Sequence, residues 1–385
     1  MKKGIYLDNA STSFPKAPGV SEAMARYIDL VGANVARGGY DSAYEAAGTM
    51  LDAREALSKL FSAPGAKNII FTQNVTASLN FIIKGFLKPG DHVLLSSMEH
   101  NAVMRPVVQM EKTGVSFDRI PCDINGELEI DAVEKMIRGN TKMMIMMHAS
   151  NVCGSIMPIE KIGEICRKHG LFFTVDAAQT AGILPINMGK MNIDALCFTG
   201  HKSLMGPQGI GGLAITDNLS SMIDPIISGG TGSISDSEQV PNFMPDKFEA
   251  GTPNLPGIFG LLAALEYINK TGMEKIFERE TALANRLREG AENIKGVRII
   301  GNKKGAVHAP VVSLDFEEKD NAEAAFALAE EFGIMTRCGL HCAPSAHKTL
   351  GTFPQGTVRF SISHFNTEDE IDRALNAIYE IAGRA

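Results

Sequence analysis

The sequence predicts an α/β protein: a large, doubly wound, mainly parallel sheet domain with a smaller α/β domain at the C-terminal end. Three observations predict it. Between residues 60 and 215, short apolar runs of strand length alternate with amphipathic helical stretches, the pattern of successive strand–helix–strand units. Polar or small residues close these apolar runs at their carboxyl ends, where open α/β sheets place ligands. The 385 residues suit one large domain plus a smaller one with a substantial core. The expected boundary lies near residue 260, with 15–260 forming the large domain and 1–14 joining 261–385 in the small one.

Taken in order, Leu7 to Thr12 reads as an irregular opening segment, and Pro15 and Pro18 set up a first helix over about 18–31. Asn34 to Gly39 is a glycine-bearing loop carrying one exposed cation, Arg37. Helical spacing of apolar residues gives a long helix from about Ala43 to Phe61. Asn68–Thr72 is a strand, and Gln73 to Asn80 opens a helix behind it. A strand, a short polar turn and a helix N-terminus together form an anion site, because free N–H groups and the macrodipole converge. Val75 and Thr76 are the candidates there, although the same pattern also serves as an ordinary helix cap.

Val93–Ser96 is the next strand, followed by Glu99 and His100, and a methionine-rich strand over Lys142–His148 leads to Asn151. A helix over Ile159–His169 precedes the apolar run Leu171–Val175, which ends on Asp176 and then Gln179. A buried carboxylate must be paired in any fold. Asp176 is therefore either half of a structural ion pair or a functional acid.

The run Ala195–Phe198 stops at Thr199-Gly200-His201-Lys202-Ser203, and a Gly/Pro loop leads to a second apolar run over Ile210–Ile215. A lysine at the carboxyl end of a strand points its amine out of the sheet edge. Partly desolvated there, such an amine can lose its proton near neutral pH and attack a carbonyl, although the residues alone read more readily as a surface lysine in a loop. Two nucleotide readings of this stretch fail. Gly200-His201-Lys202-Ser203 lacks the glycine that a phosphate-binding loop needs directly before its lysine. Gly209-Ile210-Gly211-Gly212-Leu213-Ala214 enters a strand rather than the helix that a dinucleotide fingerprint requires.

Ser228–Ser237 is a Gly/Ser-rich loop, and Phe248–Asn254 follows it. From Gly257 two helices lead to strands near Val297–Ile300, Val311–Phe316 and Ile334–Arg337, and a last helix follows Thr367. Cys338, His341, Cys342 and His347 cluster in one short stretch. Adjacent His341 and Cys342 are awkward joint ligands, and no matching C-x-x-C lies elsewhere, so the metal reading is the weaker one. The other reading needs one exposed thiolate on a loop, with Arg337 or His341 as the neighbouring cation. Thr357–Ser361 is a strand presenting Arg359 among apolar neighbours.

Net charge −7 with no basic cluster gives no reason to bind nucleic acid. No apolar core follows the first lysines, so no secretory signal is expected, and no apolar run reaches the roughly 20 residues of a membrane span. Six scattered cysteines fit a reducing compartment, so a cytoplasmic protein is expected.

Thr199-Gly200-His201-Lys202 with Gly206-Pro207-Gln208-Gly209-Ile210-Gly211 resembles the cofactor-lysine segment of class V aminotransferase-fold enzymes, and within them the cysteine desulfurases and selenocysteine lyases. The opening Tyr6-Leu7-Asp8, Glu99-His100, His148-Ala149-Ser150-Asn151-Val152-Cys153-Gly154, Asp176-Ala177-Ala178-Gln179, Phe248 to Asn254, and Arg337-Cys338-Gly339-Leu340-His341-Cys342-Ala343 extend the likeness over nearly the whole chain. The resemblance implies fold type I of the pyridoxal-phosphate transferases, with Lys202 holding pyridoxal 5′-phosphate covalently. It implies Val75 and Thr76 at the phosphate, His100 on the ring face and in proton relay, and Asn151 beside the ring. Asp176 would face the ring nitrogen and Gln179 the phenolic oxygen, with Thr199 and His201 flanking the lysine. Thr252 would reach the phosphate of a neighbouring subunit, hence a homodimer. Arg359, with Asn151, would hold the carboxylate of L-cysteine, a task suited to a planar, bidentate guanidinium. Cys342 would take the sulfur as a persulfide, leaving alanine, and pass it to an unidentified acceptor protein. The sequence departs from the pattern at Leu340, and at Ala36, where histidines are common. L-Selenocysteine or another class V substrate would use the same site, and a cofactor-free scaffold is the alternative from a different class.

Overall fold

The computed structural model describes residues 4–35, 38–234, 236–301, 303 and 305–384; Ala36, Arg37 and Ser235, on which two of the loop expectations fall, lie outside the described residues. In chain order the strands are β1 (Ile5–Tyr6), β2 (Ile69–Thr72), β3 (His92–Ser96), β4 (Ser116–Ile120), β5 (Thr141–Met147), β6 (Phe172–Asp176), β7 (Ala195–Thr199), β8 (Gly211–Ile215), β9 (Val297–Ile300), β10 (Val311–Phe316), β11 (Ile334–Met335), β12 (Arg337–Gly339) and β13 (Thr357–Ser361).

Seven of them form one sheet in the order β2-β8-β7-β6-β5-β3-β4. β4, β3, β5, β6 and β7 are parallel, whereas β8 runs antiparallel to both β7 and β2. Strands β3, β7 and β8 are buried along their whole length, as expected where helices cover both faces. That two-sided burial explains why they are nearly continuous apolar runs. The sheet's order reverses between β3 and β5, since β3 leads outward to β4 and β5 leads the other way to β6 and β7. Ligand crevices of open α/β sheets lie beyond the strand carboxyl ends at such a reversal.

Local signals set the helix ends. Asn74 caps the helix Val75–Phe86 by accepting from Ala77 N, and Gly170, at φ 64°, ends the helix Ile159–His169 in the left-handed region. Thr367 and Glu370 form a capping box for Glu368–Ala382. The first helix is α-helical over Val20–Arg26 and continues as a π turn over Tyr27–Val31.

A second sheet, β12-β13-β10-β9, is antiparallel, and β1 pairs in parallel with β11, so the N-terminal strand lies with the C-terminal part of the chain. This second sheet meets the carboxyl edge of the first. Ser313 Oγ donates to Val152 O at 2.6 Å, and Asn101 N donates to Cys342 O at 2.8 Å. Residue 260 falls inside the helix Leu255–Thr271, which packs on the helices Val20–Arg26 and Asp41–Phe61. Among the described residues no helix is long and apolar enough to cross a membrane.

Strand β4 was not expected. It is an edge strand, only partly covered except at Ile120, and its polar Ser116, Asp118 and Arg119 break the apolar signal. Packing between helix and loop is tight at Gly163, where an added Cβ would lie 1.8 Å from Met191 O. Gly163→Ala is expected to destabilise the fold by about 1–3 kcal/mol through overpacking. The readout is a lower urea midpoint at unchanged slope; an unmoved midpoint would contradict this close approach.

Candidate active site

Lys202 follows β7 in a loop that folds back on itself. Gly200 N donates to Ile210 O at 2.9 Å, Gly206 N to Gly200 O at 2.8 Å, and Met205 N to Lys202 O at 2.8 Å. The N-terminal segment fastens this loop: Ser13 N donates to His201 O at 2.8 Å. Lys202 is half-buried, and that burial lowers its pKa to about 8. Asp176 works against the shift, whereas Arg359 and Arg337 add to it. About 8 is low enough for a neutral, nucleophilic amine to be present at ordinary pH.

Asp176 closes β6, one strand away, at 5 % exposure. Among the described residues its carboxylate accepts one hydrogen bond, from Ala178 N at 2.9 Å. Burial raises its pKa, opposed by that hydrogen bond and by Lys202. A buried carboxylate with so few donors is poised for a cationic partner.

His100 is the N-cap of the helix Asn101–Glu111, and its Nδ1 accepts from Ala102 N at 3.0 Å, which assigns the ring proton to Nε2. Burial, and then the charges of Lys202, Arg359, Arg337 and Arg105, push its pKa down to about 3. The ring is neutral at any working pH. Glu99 beside it is buried, accepts from Met147 N with both oxygens (3.0 and 3.2 Å), and is raised to about 8 by burial.

Arg359, on β13, is 2 % exposed. Its Nη2 donates to Asp8 Oδ1 at 2.9 Å and Ser11 Oγ at 2.8 Å, and its Nη1 donates to Asn151 O at 3.0 Å. Arg337 Nη1 also donates to Ser11 Oγ, at 2.8 Å, so two guanidinium groups converge on one hydroxyl. Asn151 Nδ2 donates to His341 O at 2.8 Å, which ties the cysteine loop to the large sheet. Gln179 Nε2 donates to Ala10 O at 3.1 Å.

Among the six cysteines Cys342 alone is exposed; Cys338 is half-buried and the other four are buried. His341 and Cys342 both lie in the left-handed region, at φ 48° and 57°. Such backbone costs non-glycine residues roughly 1–3 kcal/mol each and persists only where its surroundings over-determine it. Here His341 is fixed through Asn151 and through a 3.0 Å hydrogen bond between its Nε2 and Thr357 Oγ1. One expectation is corrected: His341 is not a cation. It is buried, and burial followed by Arg359 drives its pKa to about 2. The cations whose pKa values feel Cys342 are Arg359 and Lys202. Among the described residues no three His, Cys, Asp or Glu side chains converge as a metal site.

Val75 and Thr76 open the helix Val75–Phe86. Asn74 engages the amides of Ala77 and Ser78, and no protein acceptor among the described residues takes those of Val75 and Thr76. A cleft of about 510 Å³ opens beside this helix start, lined by Gln73, Ala77, Gly209 and Thr252. Thr252 is exposed and lines a different cavity from Lys202. Thr199 Oγ1, His201 Nδ1, Asn151 Oδ1 and Arg359 Nε are buried without a hydrogen-bond partner among the described residues. Burial lowers the His201 pKa to about 4. Orphaned polar atoms grouped around one amine are what a site shows when a further polar molecule completes it.

Sequence reasoning missed the individual roles of Asp8, Ser11 and Lys16. Lys16 Nζ donates to Thr12 Oγ1, Ser13 Oγ and His201 O at 3.1–3.2 Å, and burial lowers its pKa to about 8. Its bond to His201 spans 185 residues, so no local pattern signals it.

The aminotransferase class-V family profile matches residues 5–374. The chain belongs to the aminotransferase class-V family. It is similar to the probable cysteine desulfurase of Pyrococcus abyssi, at 34% identity over 98% of this chain and 94% of that protein. It is also similar to the one from Methanothermobacter thermautotrophicus, at 30% identity over 100% and 96%. The apo structure of the cysteine desulfurase from Thermococcus onnurineus superposes with a TM-score of 0.93, at 33% identity over 99% of this chain and 95% of that one. This class-V chain thus carries the family's mixed α/β architecture throughout, and its lysine, aspartate, arginine and cysteine come from separate elements meeting at one sheet edge.

In the ligand-free chain, competitive acetylation of Lys202 should reach half its maximal rate near pH 8, while surface lysines do so near 10.4. Because Asp176 supports the charged amine, Asp176→Asn should move that midpoint lower still. Mapping of labelled peptides reads both; a Lys202 midpoint at the surface value would refute the assigned environment.

Proposed function

We propose that the chain is a pyridoxal-phosphate-dependent cysteine desulfurase. The observation that carries this reading is the exposed Cys342, held by left-handed backbone beside the cluster of Lys202, Asp176 and Arg359. The residues suit the cofactor. The under-partnered carboxylate of Asp176 matches a protonated ring nitrogen, and the amides of Val75 and Thr76 match a phosphate. The neutral ring of His100 suits a stacked aromatic face, and Thr199 Oγ1 and His201 Nδ1 are free to bond the bound group. Gln179 lies nearby but spends its amide on Ala10 O. We assign Thr252 to the phosphate of a second subunit, and hence infer a homodimer. Residues 15–260 would form the cofactor-binding domain, and 1–14 with 261–385 the small domain that brings the substrate residues.

When bound, pyridoxal phosphate supplies an electron sink for the substrate α-carbon. The chain's own residues do the rest. Arg359 receives the carboxylate of L-cysteine, and Asn151 fixes both that guanidinium and the cysteine loop. Lys202, with a pKa of about 8, would hold the cofactor and would then take the proton from Cα. His100, neutral and with its ring proton on Nε2, would present that N–H beside it as a hydrogen-bond donor. Cys342 Sγ attacks the substrate sulfur; the new S–S bond forms as the Cβ–S bond breaks, leaving a persulfide on the protein and alanine once Cβ is protonated.

Product analysis with L-cysteine tests the reading: alanine with protein-bound persulfide supports it, and pyruvate or a transamination product opposes it. Borohydride reduction should fix the pyridoxyl group on Lys202, and a label on any other lysine would overturn that assignment. Cys342→Ser should keep the cofactor absorbance yet lose alanine formation at least about a hundredfold, because a serine hydroxyl stays protonated and is a poor nucleophile towards sulfur. Cys338→Ser should retain most activity. Alanine production near the parent rate in Cys342→Ser would rule out the mechanism.

A further inference from the structure

Beside the Cys342 loop lies a cleft that the reaction described above leaves unused. It measures about 540 Å³, and Asn101 and Pro344 on its rim connect it to the nucleophile. Asn101 N donates to Cys342 O at 2.8 Å, and Pro344 is two residues further along the chain. Three cations line it from three separate elements: Arg119 on β4, Arg105 on the helix Asn101–Glu111, and Lys348 on the helix Pro344–Thr349. All three are exposed, and among the described residues none is paired with a carboxylate. Arg119 and Lys348 rest instead on aromatic faces, 4.9 Å from the Phe117 ring centre and 5.1 Å from that of Phe353.

An unpaired cationic cleft runs against the chain's overall net charge of −7. Three like charges with no counter-charge raise the local potential and attract an anion. Their distribution over three elements fits several carboxylates spaced along a peptide rather than one small anion. We propose that this cleft docks the acceptor of the sulfur, a protein presenting an acidic segment next to its own thiol; the inference rests on the desulfurase reading and names the partner chemistry of that same site.

The transfer balances without an outside oxidant or reductant. The acceptor thiolate attacks the outer sulfur of the Cys342 persulfide, and a new S–S bond forms. The bond to Cys342 Sγ breaks, its electron pair leaves on Cys342 as thiolate, and the acceptor becomes the persulfide. Docked carboxylates hold the two sulfur centres together and contribute nothing else to the exchange.

The test uses the holoenzyme charged with ³⁵S-labelled L-cysteine and two synthetic thiol peptides of equal length, one flanking its cysteine with glutamates and the other with lysines. The acidic peptide should take label roughly tenfold faster at low ionic strength, an advantage that shrinks as salt rises. Carboxylates beside a thiol raise its pKa and slow its intrinsic exchange, so this bias runs against the expected result. The double variant Arg119→Glu/Lys348→Glu should lose or reverse the preference while still loading Cys342 to the parent extent, which also reports that it is folded. Equal rates for the two peptides, or an acidic preference surviving in the loaded double variant, would overturn the docking site. If label never reaches Cys342, the desulfurase reading itself fails and this inference falls with it.

Discussion

One buried guanidinium holds the site's separate pieces in register. Arg359 stands on the second sheet, yet its three hydrogen bonds go to the N-terminal segment at Asp8 and Ser11 and to the loop after β5 at Asn151. Removing one partner of such a buried pair leaves an uncompensated charge and typically costs about 3–5 kcal/mol. The arrangement is therefore a positional constraint more than a source of stability. Burial lowers the Arg359 pKa, and Asp8 is the main group opposing that shift. With Arg337 meeting the same Ser11, the cluster holds two cations against one carboxylate, so a net positive charge remains that an anion would neutralise.

The same desolvation acts on every titratable group at the sheet edge. It lowers Lys202, His100 and His201 and raises Asp176, in each case toward the uncharged form. The ligand-free site thus stores electrostatic demand. A molecule bringing a cationic nitrogen to Asp176 and a phosphate to the helix start at Val75 would relieve it by restoring the charged forms. The demand also explains the lowered Lys202 pKa: burial is the main cause, Arg359 and Arg337 add to it, and Asp176 alone does not supply enough negative potential to keep it at the ordinary value.

What the sequence discloses follows from the range of each interaction. Strands β5, β6 and β7 are buried on both faces, so their apolar runs and the polar residues just beyond them mark Asn151, Asp176 and Lys202 directly. The edge strand β4 lacks that burial and left no run to read. The reversed direction of β8 is set by its pairing with β2 and β7, which an apolar run does not encode. The bond between Asp8 and Arg359 spans 351 residues, and no spacing rule reaches that far. His341 was misjudged for a related reason: its charge depends on burial under the second sheet, whereas the sequence shows only its place beside Cys342.

That burial gives the histidine another use. A protonated His341 would have to sit in solvent, taking the loop with it and leaving the left-handed turn unsupported. Neutral and buried, it bonds Thr357, two residues before Arg359 on the same strand, and its carbonyl is held by Asn151, whose own carbonyl holds Arg359. His341, the neighbour of Cys342, and the buried Arg359 therefore share one short network, and the exposed thiol of Cys342 is positioned by groups that also hold that guanidinium. A shift of β13 against the large sheet would disturb both at once. This coupling gives a physical reason for a surface cysteine to stand on a strained, well-tethered turn rather than at a freely moving loop tip.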